Sequence, residues 1–278
     1  MDREVGTNMR TEIFVIADDA APAVNGHRVP RGSGGHWADI SRRLRRLGAT
    51  VNDVASLSAQ HLPSAYRGKR SDLGPAPTAR PELPSSHLHV RSTRAALRGP
   101  GAADTATMLA RRDRTAATVS YEVKIGAAKG DPSTADLASI ESMIGCSDIV
   151  TMSECDLASL RRGELHTDAV RWVMARGPAI IAVTDDLGGY IGYVRGGSVV
   201  HSCRGANAGA THGVSEALTA GLLYALDERC LLGAGTYEAL RRIDLREAHE
   251  VFRDANRYGA STSSPRGSLP RQEVVLGA

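Results

Sequence analysis

Residues 211–223 read Thr211-His212-Gly213-Val214-Ser215-Glu216-Ala217-Leu218-Thr219-Ala220-Gly221-Leu222-Leu223, a turn of small residues running straight into an apolar helix. Such a junction leaves the backbone N–H groups of Gly213, Val214 and Ser215 without intrahelical partners. A helix N-terminus of this kind attracts phosphate oxygens. Glu216, in the first helical turn, is placed to take a proton from a hydroxyl held near that anion. The same residues also fit an ordinary helix start, with Ser215 as N-cap and Glu216 as an acid favoured by the helix dipole.

Working outward, the pattern alternates between strand and helix. Downstream lie the rest of a helix over Glu216 to Leu226 and a last helix over about Leu245 to Tyr258. Upstream, Ala179–Val183, Tyr190–Val194 and Ser198–His201 read as strands. Before them, Thr167 is a candidate cap for a helix carrying Val170, Val173 and Met174, with Gly177 as its stop. Asp148–Met152 and Ala117–Val123 are further strands, separated by a helix that starts at Pro132-Ser133-Thr134 and presents Leu137, Ile140, Met143 and Ile144. At the start, Glu12–Ala17 reads as a buried strand. A helix follows with Ile40, Leu44 and Leu47 on its apolar side, Gly48 as its end, and Arg42, Arg43, Arg45 and Arg46 on a solvated side. Strands alternating with helices predict a three-layer α/β/α domain over 1–278 with a mainly parallel sheet. Residues 61–114 are rich in Pro, Arg, Ser and Ala and show little periodicity; short strands or a flap are expected there.

The 278 residues carry 34 Lys and Arg against 31 Asp and Glu, a formal charge of +3, which is too balanced to argue for a nucleic-acid partner. With 42% apolar and 23% charged residues the chain has the composition of a soluble globular protein. Only 2 Trp, 7 Tyr and 2 Phe are present, so Ala, Val, Leu and Ile must build the core. No apolar run approaches the roughly 18 residues that cross a bilayer, and the first ten residues lack the apolar centre of a signal peptide. A cytoplasmic protein is expected. Cys146, Cys155, Cys203 and Cys230 have no CxxC spacing and read as reduced core thiols. His201 and His212 lack a paired ligand at metal spacing, and Gly233-Ala234-Gly235 reads as a connection between helices.

The opening stretch resembles the signature of the ribokinase-like (PfkB) carbohydrate kinases, written DTTGAGDAFVAGLLAAL; residues 210–226 read ATHGVSEALTAGLLYAL. Gly34-Gly35-His36-Trp37-Ala38-Asp39 followed by Arg46-Leu47-Gly48-Ala49 is similar to the family's GGxxxN helix ending in RLGA. Ser153-Glu154-Cys155-Asp156 lies where the family has NxxE, and Val183-Thr184-Asp185-Asp186-Leu187-Gly188-Gly189 resembles its VTxGxxG turn. Asp254-Ala255-Asn256 and the residues after it are similar to the C-terminal helix and tail.

The resemblance implies a ribokinase-like fold, a small or reduced β lid with candidate segments near 18–33 and 62–114, and a homodimer. It implies an ATP-dependent kinase that uses Mg2+ and phosphorylates a sugar, nucleoside or related polyol. Glu216 stands at the catalytic Asp, and Gly213, Val214 and Ser215 at the anion hole. Asp19, Gly34, Gly35 and Asp39 fall at substrate positions, Thr184, Asp186, Gly189 and Asn256 at nucleotide positions, and Glu154 and Asp156 at the magnesium motif.

The departures are equally specific. Ala210 replaces the leading Asp, Val214-Ser215 replace Ala-Gly, Glu216 replaces Asp, Asp39 replaces Asn, Ser153 and Asp156 replace the Asn and Glu of NxxE, and Asp186 replaces a glycine. Pro22 aligns with a substrate-binding Asp for which Asp18 or Asp19 substitutes. Glu for Asp keeps the carboxylate on a longer arm. Ser215 keeps the amide donor but adds a Cβ where glycine lets a phosphate approach. A second expectation therefore stands beside the kinase: a kinase-like scaffold that binds a ligand or partner without phosphoryl transfer. A serine-nucleophile reaction lacks support at this level, because no third orienting group can be assigned to Ser215 and His212.

Overall fold

The computed structural model describes residues 11–17, 36–54, 86–93, 109–110, 112–125, 131–185, 189–201 and 214–263. The strands are β1 (Glu12–Ala17), β2 (Thr50–Val54), β3 (Ser86–Thr93), β4 (Ala117–Lys124), β5 (Ile149–Ser153), β6 (Ile180–Thr184), β7 (Tyr190–Val194) and β8 (Gly197–His201). They form a single eight-stranded sheet in the order β2-β1-β3-β4-β5-β6-β7-β8. The pairings from β2 through β6 are parallel, and β7 and β8 add on antiparallel. The helices are α1 (His36–Leu47), α2 (Thr134–Gly145), α3 (Glu154–Leu160), α4 (His166–Met174), α5 (Val214–Asp227), α6 (Tyr237–Arg241) and α7 (Leu245–Ser263).

Both faces of the sheet are buried, which makes the fold three-layered. On one face Ile13, Val15 and Ile180 pack with Ile40 and Leu44 of α1, Leu222 of α5 and Phe252 of α7. On the other, Leu88, Val119, Tyr121 and Val150 pack with Ile140 of α2, Leu157 of α3 and Val173 of α4. Two-sided burial explains why most strands read as nearly continuous apolar runs.

Helix α5 and helix α7 approach closely because both carry small residues. A Cβ on Gly221 would strike the carbonyl oxygen of Ala255, and one on Gly259 would lie 2.8 Å from that of Ala217.

Several expectations need correction. Ser86–Thr93, within the stretch where short strands or a flap were expected and a lid segment was a candidate, is a central strand between β1 and β4. The eight described strands all belong to the one sheet, and segment 18–33 lies outside the described residues. Thr50–Val54 adds an unforeseen edge strand. Arg43 is buried rather than solvated, since it follows Ile40 by three positions and so joins the apolar stripe. Helix α4 starts at His166 after Leu165, with no side-chain cap, so Thr167 does not cap it. Cys155 and Cys230 are exposed, while Cys146 is buried and Cys203 lies outside the described residues. The start of α2 is as read, with Ser133 and Asp136 forming a capping box. Among the described residues no helix is long and apolar enough to cross a membrane.

Candidate active site

Strands β3 and β4 break the apolar rule on the face covered by α5. Alternation puts His87, His89 and Arg91 of β3 on that face, in register with Thr118, Ser120 and Glu122 of β4, and Lys124 follows at the strand end. The polar stripe therefore runs up the middle of the sheet beneath α5 and ends in charge at the C-terminal ends of the strands. Ligands of open α/β sheets collect at that end.

Four charged groups and a hydroxyl meet there. Arg91 Nη2 donates to Glu216 Oε1 at 2.8 Å, and Arg91 Nε lies 3.3 Å from Glu122 Oε2. Lys124 Nζ lies 3.1 Å from Glu122 Oε1 and donates to Ser215 Oγ at 3.0 Å. The Ser215 hydroxyl in turn donates to Glu122 Oε1 at 3.1 Å. Burial alone would push the Glu122 carboxyl up, but Lys124, Arg91 and His89 together hold it below the ordinary carboxylate range.

Below this group lies a hydrogen-bonded column. Gly233 N–H donates to Thr118 Oγ1, which contacts His87 Nδ1; His87 Nε2 and His89 Nδ1 share Ser120 Oγ, all four contacts at 2.8 Å. Both imidazoles are fully buried and stay neutral. Burial, then its neighbours His89 and Arg112, keep His87 well below its usual range. His89 is lowered to about 4 by burial and Arg91 against the opposing pull of Glu122. Among the described residues, His89 Nε2 and Arg91 Nη1 are buried without a hydrogen-bond partner, and Glu122 Oε2 has only its ion pair.

Of the residues expected from sequence, Ser215 and Glu216 enter this cluster, and Val214 opens α5. Gly213, Asp19, Gly34, Gly35 and Asp186 lie outside the described residues, as does the side chain of Asp39 in the first turn of α1. Thr184 ends β6 and is buried, and Gly189 donates its N–H to Asp185 Oδ1 at 2.6 Å. Asn256 is half-buried on α7.

The magnesium motif has a structural occupation. Asp156 completes a capping box with Ser153, and its second oxygen accepts Ile125 N–H at 2.7 Å. Glu154 is exposed beside it. Among the described residues no three His, Cys, Asp or Glu side chains group closely enough to hold a metal ion, whereas magnesium bound with a nucleotide needs only one or two carboxylates beside the phosphates.

Arg91, Glu122 and Lys124 were not foreseen. Arg91 sits in the stretch without periodicity. Glu122 and Lys124 carry a readable signal, since two charges at alternate positions closing an apolar strand mark a functional strand end.

The chain matches solved structures along most of its length. It is similar to fructokinase from Vibrio cholerae O395 in its fructose-, ADP- and calcium-bound form, at 16% identity over 94% of this chain and 95% of that one, with a TM-score of 0.59. It is similar to aminoimidazole riboside kinase from Salmonella enterica complexed with aminoimidazole riboside and an ATP analogue, at 13% identity over 92% and 94%, with a TM-score of 0.61. A third is fructokinase with bound ATP from Xylella fastidiosa, at 15% identity over 90% and 92%, with a TM-score of 0.59. The fold is ribokinase-like. No family model and no curated protein matches the sequence. In this ribokinase-like fold the charged cluster lies where the β3 and β4 strand ends meet the N-terminus of α5.

Proposed function

We propose that the protein is a phosphotransferase that moves the γ-phosphoryl group of ATP to a hydroxyl of a sugar, nucleoside or related polyol. The observation that carries this reading is the meeting of a first-turn carboxylate, Glu216, with two cations, Arg91 and Lys124, at the ligand-binding end of a ribokinase-like sheet. Glu216 accepts the proton of the acceptor hydroxyl. The amides of Gly213, Val214 and Ser215 and the side chains of Arg91 and Lys124 stabilise charge on the transferring group. For Glu216 to act, Arg91 must exchange its bond to that carboxylate for one to a phosphoryl oxygen. Asp19, Gly34, Gly35 and Asp39 hold the acceptor, and Thr184, Asp186, Gly189 and Asn256 border the nucleotide. The divalent ion arrives with the nucleotide phosphates.

The test is incubation with ATP, Mg2+ and a panel of sugars and nucleosides. Turnover on at least one acceptor is expected, with Glu216→Gln lowering kcat by about 100- to 10,000-fold. No turnover together with no nucleotide binding overturns the reading.

One observation favours a second reading. Glu216 is almost fully buried and its carboxylate is held by Arg91 at 2.8 Å, as in a structural ion pair. A ligand-binding or partner-binding scaffold without phosphoryl transfer would keep that pair intact. It requires that Glu216→Gln, where fold and ligand affinity hold, leave the biological effect intact.

A further inference from the structure

Ser215 differs from an ordinary helix-start serine because its hydroxyl has both a proton acceptor and a cation in reach. Its O–H points to Glu122 Oε1 at 3.1 Å, and its oxygen accepts from Lys124 Nζ at 3.0 Å. Glu122 is fully buried and fixed from both sides by Lys124 and Arg91. A base, a cation to stabilise the oxygen as it loses its proton, and a half-buried hydroxyl in the first turn of a 14-residue helix are the parts of an activated nucleophile. The third orienting group that the local sequence could not provide comes from β4.

Arg91 adds an independent observation. Its side chain is only 10% exposed, and Nε and Nη2 hold the two carboxylates while Nη1 is buried with no partner among the described residues. An unmatched buried N–H of a guanidinium is unfavourable until an acceptor takes it, and an anion oxygen is the acceptor that suits it best.

We propose that Ser215 Oγ is a phosphoryl acceptor, taking the γ-phosphoryl group of a nucleoside triphosphate to form a phosphoserine at the head of α5. This inference rests on the phosphotransferase reading and deepens it. In the step the bond from Oγ to the γ-phosphorus forms and the bond from that phosphorus to the β,γ-bridging oxygen breaks. The nucleoside diphosphate leaves, and the Ser215 proton passes to Glu122. Because Lys124 and Arg91 keep the Glu122 carboxyl below the ordinary range, the proton passes on from it to water, and the phosphoserine formed carries about −1.5 to −2 beside the two cations. Lys124 Nζ, already 3.0 Å from Oγ, supplies a donor for its oxygens.

The experiment incubates the full chain with γ-labelled ATP and Mg2+, denatures it and maps the label by peptide mass spectrometry. Label on Ser215 is expected, absent from Ser215→Ala, partly restored in Ser215→Thr, and formed at least about 100-fold more slowly in Glu122→Gln. Because Glu122→Gln disturbs a buried ion group, its fold is checked by circular dichroism. The same protein is also treated with diisopropyl fluorophosphate, which reports an activated serine without any nucleotide. Preferential modification of Ser215 is expected. Phosphorylation of a sugar or nucleoside without label on Ser215 overturns this inference and leaves the phosphotransferase reading standing. Absence of nucleotide binding overturns both.

Discussion

Two buried ion clusters occupy opposite ends of the same sheet, and they differ in how completely their groups are matched. At the N-terminal ends of β4 and β5, Asp148 receives Arg112 Nη2 at 2.5 Å, Val119 N–H at 2.9 Å and Arg114 Nη1 at 3.2 Å. Arg112 also reaches the carbonyls of Leu109 and Cys146, so that only its Nε lacks a partner among the described residues. At the C-terminal ends of β3 and β4, Arg91, Glu122, Lys124 and Glu216 are paired with one another, but His89 Nε2, Arg91 Nη1 and Glu122 Oε2 are left without hydrogen bonds. A buried polar group left unmatched is destabilising. The first cluster ties backbone to backbone around one carboxylate, as a structural fastening should. The second keeps donor capacity in reserve at the end of the sheet where ligands bind.

The largest expected effect separates the two roles. Asp148→Ala leaves the guanidinium of Arg112 buried without its counter-ion, and breaking a fully buried pair by removing one partner costs about 3–5 kcal/mol. Chemical denaturation should show that loss, and nucleotide affinity measured below the melting temperature should be unaffected. Arg91→Met at the other end strips the cation from two buried carboxylates, Glu122 and Glu216, so it is expected to cost stability as well, but with loss of nucleotide binding in the folded protein. Equal effects of both substitutions on stability alone would erase the distinction.

Next in size is the contact that brings α5 over the polar stripe. Gly221→Ala drives a methyl group into the backbone of Ala255, where no side chain can rotate away, and overpacking of this kind costs about 1–3 kcal/mol. Thermal unfolding would measure it. Because Ser215 and Glu216 ride on the same helix, activity should fall further than the stability change accounts for.

The comparison also shows what was legible before the structure. Strands such as Ile180–Thr184 announce themselves because both their faces are apolar, and the capping box at Ser133 because its spacing is local. The junction at Ser215 and Glu216 is likewise local, a small-residue turn followed by an acid. Strand β3 is different. Its residues SHLHVRST bury Leu88 and Val90 on one face and His87 and His89 on the other, where Arg91 follows, so its pattern is that of a half-exposed edge although it lies in the middle of the sheet. The polar face is buried only because Thr118, Ser120 and Glu122 of β4 supply partners that no reading of residues 86–93 alone contains. Helix α3 opens on a spacing that has two readings. Ser153 to Asp156 has the spacing of a ligand motif, and the capping box uses that same spacing for a structural purpose.

A dependence on pH gives a finer test of the unmatched end. His89 titrates near 6.5 when unfolded and at about 4 in the folded protein. Between those values the unfolded chain binds more protons, so folding stability declines as the pH falls from about 6.5 towards 4. His87, also lowered, and Glu122, whose lowered value removes stability only below the ordinary carboxylate range, act in the same direction. The expected loss is a few kcal/mol at pH 4 relative to pH 7, read from urea midpoints across the series. In His89→Gln the slope between pH 6.5 and 4 should shrink, because the amide keeps polarity without titrating. At the N-terminal cluster, Arg114→Gln removes a partly exposed member and should leave that slope unchanged. A wild-type protein equally stable at pH 7 and pH 4 would mean that the buried column accepts protons freely. The two ends of the sheet would then no longer differ in the way their hydrogen bonds indicate.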